Sequence, residues 1–135
     1  MQALTFSLQD TWEGSQGFIK REIPNPAIHE PEDAEKLIVK MSFAGVCGTD
    51  RGLWFRETFK DAVLNSLAQE KKDIRVIGHE GFGQIVAVGS RVKEKFGFAT
   101  GQMVSAESHL TCGRCFQCHH GELHVCVEEK ILGIS

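Results

Sequence analysis

The chain has 135 residues, of which 41% are hydrophobic, and a formal net charge of −3. This length predicts one domain with an ordinary core. Interspersed charges without a basic run argue against nucleic acid, and no apolar stretch reaches the ~18 residues of a membrane span. The N-terminus lacks the basic start and apolar run of a secretion signal, so a reducing, cytoplasmic location is predicted.

Alternating or continuous apolar segments predict short β-strands. These segments cover residues 2–8, 17–21, 37–44, 85–88 and 103–106. In the first segment, Leu4, Phe6 and Leu8 are expected to share the face that packs on the core. Short, closely spaced strands with many glycines predict a mainly β fold, namely a partly open β-barrel with one or two helices.

Two helices are predicted between these strands. Thr49 or Asp50 is expected to cap a short helix. An amphipathic helix is predicted over residues 57–70, because apolar side chains recur there and just before it at every fourth position. These side chains are Phe55, Phe59, Val63 and Leu67.

Four cysteines lie within fifteen residues with the spacing C-x2-C-x2-C-x7-C. They are Cys112, Cys115, Cys118 and Cys126. Disulfides would need an oxidising compartment and are geometrically awkward at this spacing, and an iron–sulfur cluster would need a shorter last gap followed by proline. The cluster therefore predicts a structural zinc site, with the nearby histidines left as solvated loop residues.

The fifth cysteine, Cys47, follows the predicted strand 37–44, and His79 lies just before a later strand. A thiolate and an imidazole are good zinc ligands, and a catalytic zinc ion usually takes three protein ligands and keeps one open position. Taken alone, this pair is weak evidence for a metal site, and a buried cysteine with a satisfied histidine is the more common arrangement.

The surrounding motifs carry a family resemblance. Gly78-His79-Glu80-x2-Gly83-x5-Gly89-x2-Val92 resembles the signature of the zinc-dependent alcohol dehydrogenases of the medium-chain dehydrogenase/reductase superfamily. Cys47-Gly48-Thr49-Asp50 resembles the segment of that family's first zinc ligand, and the four-cysteine segment resembles its structural zinc lobe. Residues 105–112, 124–126 and 131–134 resemble the L-threonine 3-dehydrogenase branch, and sorbitol dehydrogenases are the next nearest relatives.

The resemblance implies a GroES-like catalytic domain and a role for each matching residue. Cys47 and His79 would bind a catalytic zinc ion, and Glu80 would lie beside it and ligate it transiently. Thr49 would accept the substrate proton, and Asp50 would orient His79. His109 would lie at the edge of the substrate pocket or be an ordinary loop histidine.

The resemblance also implies parts that this sequence does not carry. Family members add a Rossmann domain that binds NAD or NADP, and their third catalytic zinc ligand lies beyond position 135. Residues 1–135 are therefore expected to be a truncated catalytic domain that binds structural zinc firmly and catalytic zinc poorly by itself. The full-length parent would be a homo-oligomer that oxidises a secondary alcohol, such as threonine or a polyol.

Two other functions compete with this interpretation. The first is a non-enzymatic, zinc-stabilised β-barrel that binds a protein partner. The second is a zinc-ribbon nucleic-acid module, which the acidic balance and the lack of interleaved basic and aromatic residues disfavour.

Overall fold

The computed structural model describes residues 1–135. The strands are β1 (Gln2–Ser7), β2 (Ile19–Glu22), β3 (Leu37–Ala44), β4 (Ile74–Val76), β5 (Gly81–Val88), β6 (Met103–Ser105), β7 (His109–Leu110) and β8 (Lys130–Ile131). The helices are α1 (Gly48–Trp54), α2 (Lys60–Glu70), α3 (Ser90–Phe96), α4 (Phe116–His119) and a 3₁₀ turn at Leu123–Val125. No helix combines the length and apolar character that crossing a bilayer requires.

The chain divides into two compact units. The first unit contains Met1 and residues 23–45 and 80–106, and the second contains residues 2–22, 46–79 and 107–135. All strand pairs are antiparallel, and each sheet lies within one unit: β3-β5-β6 in the first, and β2-β1-β4 and β7-β8 in the second. The expected mainly β fold class is confirmed.

In the first unit, β3 occupies the predicted residues, and β5 begins at Gly81, four residues before the predicted strand. The two strands pair along their whole length, from Leu37 opposite Val88 to Ala44 opposite Gly81. Helix α3 was not predicted. Only Val92 of this helix is buried, so its mostly charged sequence shows no apolar stripe that would predict a helix.

In the second unit, the expectation for the first strand is only partly correct. Phe6 is buried, but Leu4 and Leu8 are 51% and 45% exposed, while Thr5 and Ser7 are buried. The buried Thr5 hydroxyl donates a 2.9 Å hydrogen bond to the Ile19 carbonyl. Because this polar group has a partner, burying it costs little, and strand alternation alone did not predict that residues on both faces of β1 are buried.

The core of the second unit packs both helices that follow Cys47. Its buried side chains are Phe6, Leu53, Val63, Leu67 and Ile134. Leu53 fixes α1 in this core, while Val63 and Leu67 fix α2 and are fully buried. The predicted helix start was wrong, because α2 begins at Lys60 and Phe59 before it adopts a left-handed backbone conformation with φ of 64°. Phe55 and Phe59 are each 40% exposed and lie outside the helix.

Candidate metal centres and active site

Cys47 is the N-terminal capping residue of helix α1 and directly precedes its first residue, Gly48. Its Sγ accepts a 3.3 Å hydrogen bond from the Thr49 amide, and its own amide donates a 2.9 Å hydrogen bond to Asp50 Oδ2. These reciprocal bonds form a capping box at the start of α1. The expectation that Thr49 or Asp50 caps the helix was wrong, because the cysteine sulfur takes that role and Asp50 completes the box from the third helical position.

His79 lies beside Cys47, although the two residues are remote in sequence. His79 Nε2 is 3.1 Å from Cys47 Sγ. On the other side of the ring, His79 Nδ1 is 3.7 Å from Asp50 Oδ1, and both side chains are largely buried. The structure therefore places Asp50 against both members of the pair, through the Cys47 amide and through the His79 ring. The spacing Cys47-x-x-Asp50 is the sequence signal for the contact between Asp50 and the Cys47 amide, since a capping box joins positions three residues apart.

The Cys47–His79 pair fits a zinc ion on three observations. Thiolate sulfur and imidazole nitrogen are donors that zinc prefers, and tetrahedral bond lengths imply an S···N separation of about 3.6 Å. The observed 3.1 Å needs only a small opening of the pair. His79 Nδ1 and Asp50 Oδ1 are both buried without a hydrogen-bond partner, at a separation that a small ring rotation would shorten to a hydrogen bond.

The other two expected site residues lie next to these ligands in the sequence. Thr49 is half-buried in the first turn of α1. Glu80 is exposed and belongs to the first compact unit, where its carbonyl accepts a 2.7 Å hydrogen bond from the Gly45 amide. Their proposed chemical roles stay predictions from the resemblance.

The four cysteines of the second cluster converge on one point. Their sulfur atoms all lie within 4.8 Å of one another, and none forms a disulfide. Cys112 Sγ and Cys118 Sγ are 4.0 Å apart, close to the about 3.8 Å expected between two thiolates of a tetrahedral zinc site. We call residues 112–126 the cysteine lobe. Its donor set and spacing fit a structural zinc ion.

Backbone amides of the lobe point at its sulfur atoms. The Cys115 amide donates to Cys112 Sγ and the Cys112 amide donates to Cys126 Sγ, each at 3.3 Å. Amide hydrogen bonds from Cys118 and Val127 lower the pKa of the Cys115 thiol to about 6, whereas burial raises the pKa of Cys118 to about 12. The Cys115 thiol therefore ionises more readily than the Cys118 thiol, which needs a nearby cation to stay deprotonated.

The three histidines of the lobe lie outside the cluster of four sulfurs. His119, His120 and His124 are all exposed. The His120 ring lies 4.0 Å from the Phe116 ring and makes a 2.8 Å contact with the Phe116 carbonyl through Nδ1. This arrangement agrees with their interpretation as solvated loop residues.

His109 lines a cavity of about 450 Å³ beside the lobe. The other lining residues are Glu107, Thr111, Leu123, His124 and Glu129. The His109 amide and ring Nδ1 both contact Glu107 Oε1 at 3.1 Å, and these hydrogen bonds lower the pKa of that carboxyl group. Glu107 therefore remains ionised and holds His109 at the cavity wall, a contact that the sequence did not predict.

Comparison with known proteins agrees with this geometry. The sequence profile of the alcohol dehydrogenase GroES-like domain matches residues 33–134. The chain is 38% identical over 123 residues to an L-threonine 3-dehydrogenase from Symbiobacterium thermophilum, covering 91% of this chain and 31% of that protein. The chain thus spans about a third of the length of this curated relative.

Solved structures show the same fold. Galactitol-1-phosphate dehydrogenase from Escherichia coli superposes with a TM-score of 0.74 at 22% identity, covering 99% of this chain and 32% of that one. A short-chain alcohol dehydrogenase from Escherichia coli CFT073, in complex with NADH, superposes with a TM-score of 0.64 at 30% identity, covering 99% and 32%. The expected GroES-like fold is therefore confirmed, and the chain belongs to the family of alcohol dehydrogenase GroES-like domains.

Proposed function

We propose that this chain is the zinc-binding catalytic domain of an NAD(P)-dependent alcohol dehydrogenase that oxidises a secondary alcohol by hydride transfer. The observation that carries the proposal is the 3.1 Å approach of His79 Nε2 to Cys47 Sγ, with Asp50 behind the ring. Besides completing the capping box of α1, the buried Asp50 carboxylate lies 3.7 Å from the far nitrogen of the histidine, where a group that orients a metal-binding imidazole is expected.

Cys47 and His79 would hold the catalytic zinc ion, and Glu80 would ligate it transiently, as the family resemblance implies. The ion supplies Lewis acidity, which makes an alcohol hydroxyl easier to deprotonate. The lobe cysteines would hold a structural zinc ion that fixes the loop between β7 and β8.

The protein groups around the pair prepare the ligands and move the proton. After a small rotation of the ring, Asp50 Oδ1 would accept a hydrogen bond from the Nδ1–H of His79, so that the lone pair of the imidazole stays on Nε2, which faces Cys47. Thr49 is the second residue of α1. Its side chain would take the proton of the substrate hydroxyl, because a hydroxyl group both donates and accepts hydrogen bonds. The Thr49 amide already donates to Cys47 Sγ, which keeps this residue adjacent to the thiolate.

The names of the relatives support the proposed substrate and cofactor. The curated relative is named for L-threonine, a secondary alcohol, and one structural relative was solved with NADH. We therefore propose threonine or a polyol as substrate and a nicotinamide as hydride acceptor. A cytoplasmic location and homo-oligomeric assembly stay predictions from the sequence.

The proposal is tested on the purified protein in the length that its gene encodes. Reduction of NAD⁺ and NADP⁺ is followed with L-threonine, a panel of polyols and a primary alcohol. We expect activity with at least one secondary alcohol. This activity should be lost in Cys47→Ser and retained in the control variant Arg91→Lys, which changes an exposed surface residue. The absence of activity from a zinc-loaded preparation with every secondary alcohol would contradict the proposal.

A further inference from the structure

In the second unit, Gly133 lies against the backbone of Gly78, the residue directly before His79. A Cβ atom added to Gly133 would lie 2.5 Å from the carbonyl oxygen and 2.7 Å from the amide nitrogen of Gly78. Both distances are shorter than any real Cβ contact, and both neighbours are backbone atoms that cannot rotate away. Only glycine at position 133 permits this approach.

The contact acts on the backbone that carries His79. Gly78 has φ of 113°, a conformation open to glycine alone, and it precedes His79 directly. The residue before it, Ile77, is fixed by a 3.0 Å hydrogen bond from its amide to the Leu4 carbonyl. Gly133 therefore packs against Gly78, which lies between this hydrogen-bonded residue and the imidazole that meets Cys47.

The turn that presents Gly133 is itself held firmly. The amides of Ile134 and Ser135 donate to the Ile131 carbonyl at 3.0 and 2.9 Å, and the Ile131 amide donates to Ser135 Oγ at 2.9 Å. Ile134 is 2% exposed in the core, and its carbonyl accepts a 3.2 Å hydrogen bond from Ser66 Oγ on α2. This turn, residues 131–135, follows the cysteine lobe by only a few residues.

From this geometry we propose that Gly133 is a positioning residue, which sets the His79 imidazole against Cys47 by its contact with the Gly78 peptide. Any larger side chain displaces Gly78 and rotates His79 away from the sulfur. The inference rests on the proposed function in one respect, namely that the Cys47–His79 pair binds a metal ion. The cysteine lobe would keep its own metal, because its ligands precede the turn.

The test compares two glycine-to-alanine substitutions of equal backbone strain. Gly133 and Gly97 have φ of 73° and 69°, but a Cβ at Gly97 meets nothing within 4 Å. The metal-free protein, in the length that its gene encodes, is titrated with Co²⁺, with wild type and both variants in parallel. Thiolate-to-cobalt absorption reports chiefly the filling of the cysteine lobe, which has four thiolates against the one of the pair. Protection of Cys47 from iodoacetamide, read by peptide mass spectrometry, reports filling of the pair.

We expect wild type and Gly97→Ala to protect Cys47 at the same cobalt concentration, and Gly133→Ala to need roughly 10- to 100-fold more, with unchanged absorption from the lobe. Equal protection in Gly133→Ala and Gly97→Ala overturns the inference alone. A wild type in which cobalt never protects Cys47 overturns the proposed function and the inference with it.

A milder variant covers the case in which Gly133→Ala does not fold. Ser66→Ala removes the hydroxyl that donates to the Ile134 carbonyl and loosens the turn without introducing a clash. It also removes the contacts of this hydroxyl with the Val63 carbonyl and the Arg75 guanidinium, so its folding is verified first. We expect this variant to need roughly 2- to 10-fold more cobalt to protect Cys47, the equilibrium equivalent of one lost hydrogen bond. Unshifted protection in folded Ser66→Ala overturns the inference.

Discussion

Asp50 Oδ1 lies 3.7 Å from His79 Nδ1, and both atoms are buried without a hydrogen-bond partner. The other oxygen of the same carboxylate accepts the Cys47 amide at 2.9 Å. An unpaired buried polar atom is costly, so this gap is one that a bound ligand would be expected to close by turning the ring. One carboxylate thus connects both proposed zinc ligands.

The first prediction separates the two contacts of Asp50. Asp50→Asn can still accept the Cys47 amide, but it then presents an NH₂ group to His79 and favours the wrong tautomer. We expect zinc at the Cys47–His79 pair to bind roughly 10- to 100-fold more weakly in Asp50→Asn. Asp50→Ala additionally loses the capping box and about 0.5–2 kcal/mol of unfolding free energy. Competition with a chelator measures the affinity, and urea unfolding measures the stability.

Asp61→Asn controls for the loss of a negative charge, because Asp61 is an exposed carboxylate in the first turn of α2. It should leave zinc affinity unchanged. Wild-type affinity in Asp50→Asn would mean that the carboxylate does not orient His79.

The second prediction concerns the side chains that fix α2. Leu67 is fully buried, whereas Leu4 is 51% exposed. Leu67→Ala is expected to lower the unfolding free energy by about 2–5 kcal/mol because it leaves a cavity in the core, and Leu4→Ala by about 1 kcal/mol. Urea unfolding of the zinc-loaded variants measures both. Similar losses of unfolding free energy in the two variants would show that Leu4 packs in a core, which is what the alternation of the first strand predicts.

The third prediction concerns Arg56, whose guanidinium lies 4.9 Å from the Phe6 ring and 5.7 Å from the Trp12 ring. It donates hydrogen bonds to the Leu53 and Gly17 carbonyls at 2.6 and 2.8 Å. Lysine cannot reproduce this planar set of donors, so Arg56→Lys should lose about 1–3 kcal/mol of unfolding free energy.

Arg91→Lys is the matched control for Arg56→Lys. Arg91 pairs with Glu35 at 3.2 Å on the surface, and both side chains are at least 70% exposed. Because exposed ion pairs contribute little, this variant should stay within about 0.5 kcal/mol of wild type. An equal loss in both variants would contradict a specific role for the Arg56 guanidinium.

The fourth prediction concerns how the contribution of Glu70 to the unfolding free energy depends on pH. Hydrogen bonds from Lys72 and Arg75 lower the pKa of Glu70 from its ordinary value of 4.5. Its contribution to stability is therefore present above pH 4.5 and is lost as the pH falls through the lowered pKa. Glu70→Gln should remove this part of the acid sensitivity. Urea unfolding at about pH 6 and about pH 3.5 measures the difference in unfolding free energy between wild type and Glu70→Gln. This difference should be smaller at the lower pH. A larger difference at the lower pH would contradict a lowered pKa for Glu70.

The site was easier to predict from the sequence than the packing of its surroundings. Cysteines at short fixed spacing and a Gly-His-Glu motif are local signals, since the chemistry of zinc restricts the residue types that can bind it. Strand β3 was also predictable, because its eight residues form one continuous apolar-rich segment.

Features that depend on a particular contact were not predictable. Thr5 and Ser7 are buried in β1 because β1 is the central strand of its sheet and Thr5 finds an acceptor on β2. Phe59 is excluded from α2 by a left-handed backbone that no residue type in the segment signals. Cys47 caps α1 although cysteine is not among the residues that usually do so.

The most direct test of the account is a metal analysis of the purified protein, in the length that its gene encodes, compared with Cys47→Ser and Cys115→Ser. Elemental analysis should find zinc at both sites in the wild type, loss of only the zinc of the Cys47–His79 pair in Cys47→Ser, and loss of the lobe zinc together with folded structure in Cys115→Ser. A zinc content that is the same in wild type and Cys47→Ser would contradict a metal ion between Cys47 and His79.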